Sequence, residues 1–440
     1  MLLVTYYYPP SGGSGVQRPL KMSRYLPEFG CDVTVLTVAP EHAAYPDPDP
    51  SMLADVPAMV RVVRTRAWDP YAAYARLTGR AKGEAVGVGF ARAGEVGRKE
   101  RLARWLRANV FLPDARVGWV PFALREARRL HAEQPFNVVL TTAPPMSLHL
   151  VGLALERTGL PWVADFRDPW TDVYYLRELP RSGLARRLDL ALERRVLGRA
   201  TRLVAVSPSL GRLLGAKVGR DATIIHNGFD PADFVAAPPR VARGGPFTLS
   251  FVGNFLGQQN PEALWRVLDR LRATPGIPEL RIRFVGNVDS LVDASLDAHG
   301  LTGIVERRAY VPHAEAVAEM GRASLLLLPI NRAPGAEAIV TGKLFEYVAS
   351  GRPVLGIGPA EGDAAAVLAQ TGAGALFDWD DEAGIEVYLK EHLESWVSGQ
   401  PRAGASPEAA ATLSRRHQAG QMAEVLRDAA EGVRSSGGWE

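Results

Sequence analysis

Short runs of β-branched and apolar residues alternate with longer amphipathic stretches along most of this chain. The alternation is typical of parallel strands, because the chain must cross back over the sheet, usually as a helix, before the next parallel strand begins. The sequence therefore predicts an α/β protein with doubly wound parallel sheets. The predicted strands lie at 1–7, 32–38, 60–65, 137–143, 162–166, 202–207 and 222–227, then at 248–254, 281–287, 305–311, 323–330, 352–358 and 373–379.

The two groups of strands are separated by a polar stretch rich in Pro and Gly, "DPADFVAAPPRVARGGP" (230–246). A chain of 440 residues also exceeds the length of about 250 to 300 residues at which a single core stops growing. We predict a Rossmann-like domain over 1–230 and a second over 231–414, with a helix over 415–440 packing back on the first. The two sheets are expected to face a central cleft that collects the carboxyl ends of their strands.

Composition excludes several classes of protein. Apolar residues make up 47% and charged residues 22%, which is typical of a soluble globular protein. A net charge of +3 is too small to favour nucleic acid and suits an anionic ligand or membrane surface. Cys31 is the single cysteine, so no internal disulfide is expected and a reducing, cytoplasmic location is predicted. No signal peptide or membrane-spanning run is recognised at the sequence level.

Glycines follow the first predicted strand directly and precede an amphipathic stretch. Gly12, Gly13 and Gly15 stand in "YYYPPSGGSGVQRPLKMSRYL" (6–26), where backbone amides and a helix N-terminus could hold phosphate. The spacing is not GxGxxG, and a tight turn that uses glycine only for its backbone freedom remains the alternative.

A second candidate site is "TGKLFEYVASGRPVL" (341–355), in which Thr341 is placed to cap a helix over about 342–350. Lys343 and Glu346 share one face near the start of that helix, away from the apolar positions. The lysine could neutralise a diphosphate, and the carboxylate could accept hydrogen bonds from ribose hydroxyls. The alternative is an ordinary exposed ion pair one turn apart.

The chain resembles GT-B glycosyltransferases of the retaining family 4. The resemblance rests on "PPSGGSGVQRPLKMSRYLPEFGCDVTVLT", "LERRVLGRATRLVAVSPSL", "IIHNGFDPADF", "LSFVGN" and "GKLFEYVASGRPVL", which occur in the family's order. It implies transfer of a sugar, with retention and without a metal or other cofactor, from a nucleoside diphosphate sugar to a hydroxyl. The donor would bind mainly the second domain and the acceptor the first, in glycan, glycolipid or glycosylated metabolite biosynthesis.

The resemblance also suggests a role for individual residues. Arg167 and Asp168, in "VADFRDPW", would lie near the reacting sugar together with Lys343, although an Arg/Asp pair that anchors a loop is equally consistent with the sequence. The base would insert near "AYVPH" (309–313). The predicted donor-binding residues are Gly12, Gly13, Gly15, Gly253, Asn254, Tyr310, Val311, Glu337, Thr341, Gly342, Lys343 and Glu346.

The sequence departs from the family pattern at two places in the donor site. Glu346 matches the second glutamate of E-x7-E, but Ala338 occupies the position of the first, with Glu337 beside it. The arginine and lysine expected after "FVG" are replaced by Asn254 and, further on, by Gln258 and Gln259. Arg332 could supply a missing charge if its loop folds over the donor.

Two further sequence features lie outside this site. His149 recurs on an apolar helical face with no metal-ligand spacing and is expected to be a core histidine. The stretch 97–113 alternates arginines with Leu102, Trp105 and Leu106, which favours a core-docked amphipathic helix and leaves an interfacial helix on the inner face of a membrane as the alternative. A lipid-linked acceptor would favour the second.

The absence of the expected cationic residues and of the first glutamate keeps two other functions open. One is a catalytically silent nucleotide-sugar binder or partner subunit. The other is an epimerase or hydrolase of the same fold that consumes the donor without an acceptor.

Overall fold

A computed structural model describes residues 1–43, 45, 48–68, 105–173, 176, 179–234 and 245–436. The chain folds into two compact units. Unit 1 comprises Met1–Asn227 and Gln418–Glu440, and unit 2 comprises Gly228–His417.

Unit 1 is built on a seven-stranded sheet in the order β3-β2-β1-β4-β5-β6-β7. Every pairing in it is parallel. The chain order reverses between β1 and β4, so the sheet is doubly wound. Its strands are β1 (Leu2–Val4), β2 (Thr34–Val38), β3 (Arg61–Thr65), β4 (Val139–Ala143), β5 (Trp162–Phe166), β6 (Arg202–Ala205) and β7 (Thr223–Ile224).

Both faces of this sheet are covered, which explains why its central strands are apolar at nearly every position. Side chains alternate between the faces, so Leu2 and Val4 join one cluster while Leu3 joins the other. The helices of unit 1 are α1 (Ser14–Tyr25), α2 (Val120–Glu133), α3 (Leu148–Glu156), α4 (Gly183–Arg199), α5 (Pro208–Ala216) and, from Gln418 onward, α13 (Arg415–Ser436).

The last helix completes one face of unit 1. Met422, Ala423 and Leu426 of α13 are buried in the same cluster as Leu20 of α1 and Leu3. The C-terminal helix thus packs on the first sheet although it follows unit 2 in sequence.

Unit 2 has a six-stranded sheet in the order β10-β9-β8-β11-β12-β13, again with parallel pairings throughout. The order reverses between β8 and β11. The strands are β8 (Phe247–Val252), β9 (Leu280–Val285), β10 (Val305–Arg308), β11 (Leu325–Pro329), β12 (Val354–Ile357) and β13 (Gly374–Phe377).

Helices cover both faces of this second sheet as well. One cluster contains α6 (Glu262–Arg272), α7 (Ser290–Ala298) and α11 (Glu382–Val397). The other contains α8 (His313–Arg322), α9 (Gly342–Ala349), α10 (Asp363–Thr371) and α12 (Pro407–Ala411). No helix among the described residues is long and apolar enough to cross a membrane.

The predicted parallel α/β architecture is confirmed, and each predicted strand overlaps an observed one. The predicted C-terminal helix begins at Arg415, as α13, and it is separated from the short helix α12 by three residues. The backbone there pairs with Phe229, whose amide donates to Leu413 and whose carbonyl accepts from Arg415. These cross-chain hydrogen bonds replace the intrahelical bonds that a continuous helix would make.

Candidate functional site

The carboxyl end of β8 lies at the point where the strand order of unit 2 reverses. Crevices form there because the connections from β8 and β11 leave toward opposite faces of the sheet. Gly253 follows β8 with a φ of +125°, a conformation that favours glycine. Its carbonyl packs so closely on Gly286 that a Cβ on Gly286 would lie 2.5 Å from it.

Helix α9 is anchored directly on this end of β8. The buried hydroxyl of Tyr347 accepts a hydrogen bond of 3.1 Å from the Val252 amide, and Leu344, Phe345 and Val348 pack in the core. The first turn of α9 is therefore held beside Gly253. The helix was predicted over 342–350, and the structure confirms it with an end one residue earlier.

The side chain of Lys343 runs across Gly253. A Cβ on that glycine would lie 2.3 Å from Lys343 Cε, so a larger residue at this position would displace the end of the lysine side chain. The Lys343 ammonium lies 5.4 Å from the centre of the Phe251 ring. Burial lowers the pKa of Lys343, and the nearby Glu346 opposes that shift.

Glu346 is half-buried one turn further along α9. Burial raises the pKa of its carboxyl group, while His313, Arg415 and Lys343 oppose the rise and Asp233 adds to it. His313 Nε2 lies 3.1 Å from Asp233 Oδ2, and this hydrogen bond raises the pKa of His313. Glu346 thus lies among charged groups from α8, from the 3-10 turn Pro231–Phe234 and from the start of α13.

Lys343 and Glu346 do not form the exposed ion pair that the spacing alone allowed. Neither side chain makes a hydrogen bond or an ion pair with any residue that the structure describes. A half-buried ammonium and a half-buried carboxylate without partners in the described chain must be hydrogen-bonded by water or by a ligand, so both are available to a ligand.

The N-terminus of α9 also has unsatisfied polar groups. Thr341 occupies the N-cap position as predicted, but its side chain makes no capping hydrogen bond. Its Oγ1 is buried without a hydrogen-bond partner in the described part of the chain. A Cβ on Gly342 would meet no atom within 4 Å, so there is open space beside the free amides of the first turn.

The polar residues after Gly253 support the loop. Asn254 is exposed and accepts from Asn287 Nδ2 at 3.3 Å. Gln259 is buried, where it accepts from the Leu256 amide and donates to the Pro329 carbonyl. None of these amide side chains carries the positive charge that the family pattern has there.

The structure does not support Arg332 as a substitute cation. Its guanidinium pairs with Asp380 and lies 5.5 Å from the centre of the Trp379 ring. Both partners lie in the loop after β13, so the Arg332 side chain is bound to that neighbouring loop by a cation–π contact and an ion pair. Lys343 is thus the cation that the described residues place at the end of β8.

The remaining predicted donor-site residues of unit 2 lie in loops. Tyr310 is 80% exposed, and Val311 is half-buried against the core cluster of α8 and α9. Glu337 is exposed on the short 3-10 turn Ala336–Ala338, and its carboxylate has no partner among the described residues.

In unit 1, the glycine loop joins β1 to α1. Gly12 is buried, and Gly13 stands at the N-cap of α1 with a φ of +79° that suits glycine. A Cβ on Gly15 would make only ordinary contact, 3.5 Å from the Tyr7 ring. Glycine is therefore required by backbone conformation at Gly13 but not at Gly15.

Arg167 anchors the loops at the carboxyl ends of three strands. Its guanidinium donates to the carbonyls of Gly15, Ala143 and Pro144, at 2.8, 3.1 and 2.7 Å. This geometry matches the loop-anchoring alternative, because these bonds engage all three guanidinium nitrogens. Asp168 is exposed and makes no hydrogen bond or ion pair with the described residues, so it could contact a ligand.

A buried ion pair beneath this loop was missed by sequence reasoning. Arg18 Nε and Nη2 donate to the two oxygens of Asp165 at 2.8 and 2.7 Å, and Nη1 donates to the His226 carbonyl. Thr142 also donates to Asp165. Burial by itself raises the pKa of Asp165, but Arg18 and Thr142 outweigh it and hold the pKa below its ordinary value. A charged residue inside the apolar run "WVADF" was the available signal.

His149 is a core residue, as expected. It is fully buried, its Nδ1 lies 2.7 Å from Thr141 Oγ1, and its ring packs 4.3 Å from that of Phe166. Burial lowers its pKa to about 3, so the imidazole is neutral. Elsewhere too, the described residues include no group of three His, Cys, Asp or Glu side chains that could hold a metal ion.

Comparison with known proteins finds a matching family model and solved structures with a similar fold. Residues 80–233 match the family model described as Glycosyltransferase Family 4. A search of curated proteins finds no match. The sucrose-phosphate synthase of Thermosynechococcus elongatus superposes with a TM-score of 0.62 at 15% identity, over 98% of this chain and 99% of that chain.

Two other proteins of known structure are similar over nearly the same extent. HepE of Anabaena in complex with UDP has a TM-score of 0.59 at 14% identity, and in complex with UDP-glucose 0.56 at 13%, each covering 97% of this chain and 99% of that chain. WaaG, a glycosyltransferase involved in lipopolysaccharide biosynthesis, has a TM-score of 0.52 at 15% identity with the same coverage. The chain therefore has the GT-B fold, and residues 80–233 match the Glycosyltransferase Family 4 model.

Proposed function

We propose that this protein transfers a sugar from a nucleoside diphosphate sugar to an acceptor hydroxyl, with the donor bound by unit 2. One observation carries the proposal: Lys343 and Glu346 present opposite charges from one face of α9, at the end of β8, with no partner for either among the described residues. The binding of UDP and UDP-glucose by HepE, which shares the fold, supports a nucleotide sugar as the ligand.

Each polar group of this site has a role in that reaction. The diphosphate lies against Gly253 and the first amides of α9, where Lys343 neutralises the charge that develops on the leaving group. Glu346 accepts hydrogen bonds from the ribose hydroxyls, and the backbone near Tyr310 and Val311 reads the base.

The proposal extends to the course of the reaction and its setting. Transfer proceeds with retention and without a metal, since Lys343 and the helix amides supply the positive potential. The product belongs to glycan, glycolipid or glycosylated metabolite biosynthesis in the cytoplasm. Asp168, exposed in unit 1, is the candidate for contact with sugar or acceptor hydroxyls.

Replacing Glu346 with alanine tests the ribose contact. We expect nucleoside diphosphate affinity to weaken by about 1 to 3 kcal/mol, because charge-assisted hydrogen bonds are lost. Calorimetry with UDP, GDP and dTDP would measure it and identify the base. Glu394→Ala is the matched control, since Glu394 is exposed on α11, which covers the opposite face of the sheet. Equal affinities for both variants would remove the assigned role.

Donor affinity should also depend on pH. Burial raises the pKa of Glu346 above its ordinary value, and only the ionised carboxylate accepts from both ribose hydroxyls. Affinity is therefore full above that pKa and falls by up to about tenfold per pH unit below it. A nucleotide sugar is the better ligand here, because the terminal phosphate of a free diphosphate itself titrates near pH ~6.

Glu346→Gln should flatten this pH profile. A profile that keeps its slope in the glutamine variant would assign the titration to another group, such as His313.

A catalytically silent binder is the second candidate function. It is favoured by the amide side chains Asn254, Gln258 and Gln259, which bring no positive charge to the diphosphate, and by Ala338 in place of a glutamate. Sugar release measured with and without a panel of hydroxyl acceptors separates the possibilities. Release only with acceptor supports transfer, release without acceptor indicates a hydrolase, and tight binding without turnover indicates the silent binder.

A further inference from the structure

The solvent-facing side of α4 is unusual in composition. Leu184 and Leu188 are 68% and 50% exposed, although large apolar side chains are usually turned inward on an amphipathic helix. Exposed arginines surround them. We call this surface the α4 outer face, and it comprises Leu184, Arg187, Leu188, Ala191, Arg194, Arg195 and Arg199.

No acidic side chain of α4 reaches this surface. Asp189 and Glu193 are fully buried and paired, Asp189 with Arg181 and Glu193 with Lys217. The helix therefore directs all of its negative charge inward and its positive charge outward. Arg187, Arg194 and Arg195 form no ion pair with any residue that the structure describes, so their charge is available to a partner.

A second exposed apolar segment adjoins the N-terminus of α4. Asn109 donates to the Pro180 carbonyl at 2.9 Å and accepts from the Ser182 amide at 2.7 Å. These bonds hold the short helical segment 105–110 against the start of α4. In that segment Trp105, Leu106 and Val110 are 46%, 39% and 57% exposed.

We propose that the α4 outer face, extended by the segment 105–110, docks the protein on an anionic membrane surface. Arginines interleaved with exposed leucines, next to an exposed tryptophan, match the headgroup boundary, where guanidinium groups bind lipid phosphates while the apolar side chains enter the acyl region. A nucleic acid would use the arginines but would leave the two leucines in water. Helix α4 is about 25 Å long, which is sufficient to engage several headgroups at once.

This surface overlaps the stretch 97–113 that the sequence offered as an interfacial helix, because it includes 105–110, and it adds the outer face of α4. Residues 97–104 of that stretch lie outside the described chain. The proposal is independent of the donor site, because it uses residues of α4 that are absent from the proposed sugar-transfer machinery.

Co-sedimentation with vesicles tests the docking surface. The full-length protein should partition onto vesicles of phosphatidylcholine with about one quarter phosphatidylglycerol and not onto phosphatidylcholine alone, and the binding should weaken with added salt. The variant Arg187→Glu/Arg194→Glu/Arg195→Glu should lose about 100-fold or more in partition coefficient, since each basic residue contributes about fivefold. Leu184→Ser/Leu188→Ser should weaken partition while leaving the dependence on phosphatidylglycerol.

The matched control is Arg187→Lys/Arg194→Lys/Arg195→Lys, which keeps the charge and should stay within about threefold of wild type. Circular dichroism and nucleotide titration of every variant show that folding and the donor site are intact, so failure of this proposal is distinct from failure of the proposed function. Equal wild-type partition onto uncharged vesicles, or an unchanged glutamate variant, overturns the proposal. So does loss of duplex DNA binding in that variant when neither protein binds vesicles.

Discussion

Replacing Arg18 with methionine is expected to destabilise unit 1 by about 3 to 5 kcal/mol, because the change leaves the Asp165 carboxylate charged and buried without its partner. Asp165 is only 1% exposed, and the bidentate pair also holds the carbonyl of His226. The loss should appear as faster amide hydrogen exchange in β4, β5 and α1. Exchange resolved along the sequence is preferable to one denaturation midpoint, since a chain of two units need not unfold in a single step.

The exposed pair Arg199–Glu156 provides the control, with side chains 55% and 20% exposed. Arg199→Met should cost less than about 1 kcal/mol, since exposed ion pairs contribute little. Replacing both buried partners, as Arg18→Met/Asp165→Leu, should recover most of the stability, because no unpaired charge remains. Equal exchange rates in the Arg18 and Arg199 variants would mean that the buried pair does not hold the sheet together.

Replacing Lys343 with alanine is expected to lower kcat by about 100- to 1000-fold, the usual effect of removing one group that stabilises charge in a transition state. Donor affinity should change much less. Steady-state kinetics with donor and acceptor varied separately would distinguish kcat from KM. A rise in KM with unchanged kcat would mean that the lysine binds ground state and transition state equally.

The substitution Gly253→Ala is expected to move the same lysine side chain. Its new Cβ would lie 2.3 Å from Lys343 Cε and must displace the side chain, so kcat should fall in this variant as well. Gly276→Ala is the matched control: it has a φ of +87° and open space around a Cβ. The Gly276→Ala variant therefore has the same kind of backbone strain but displaces no side chain. Equal kcat in the two glycine variants would contradict the assigned path of the lysine.

The positions of the strands follow from local sequence patterns. Buried parallel strands are apolar on both faces, so runs such as "WVADF" stand out from the amphipathic helices between them. The start of α9 was also predictable from the sequence, since Thr341 and Gly342 precede its apolar face. The interruption between α12 and α13 was not, because it depends on pairing with Phe229, which is distant in sequence.

The charged side chains show the limit of local patterns. The spacing of Lys343 and Glu346 also allowed an ordinary exposed ion pair. Only the position of α9 against β8 shows that the two side chains do not form that pair. Arg167 was equally consistent with a ligand contact or an anchor, and three carbonyl acceptors, two of them far from Arg167 in sequence and one at Gly15, favour the anchor. The Arg18–Asp165 pair joins residues of α1 and β5, which no local spacing could connect.

The sequence by itself determined the α/β class, the order of the elements and the residue types available at the end of β8. Those properties follow from side-chain polarity and backbone preference over a few residues. Only the tertiary structure decided which charges are neutralised within the protein and which remain for a ligand or a surface. An ion pair depends on distances of a few ångströms between groups far apart in the chain, and these distances are set by the packing of the whole sheet.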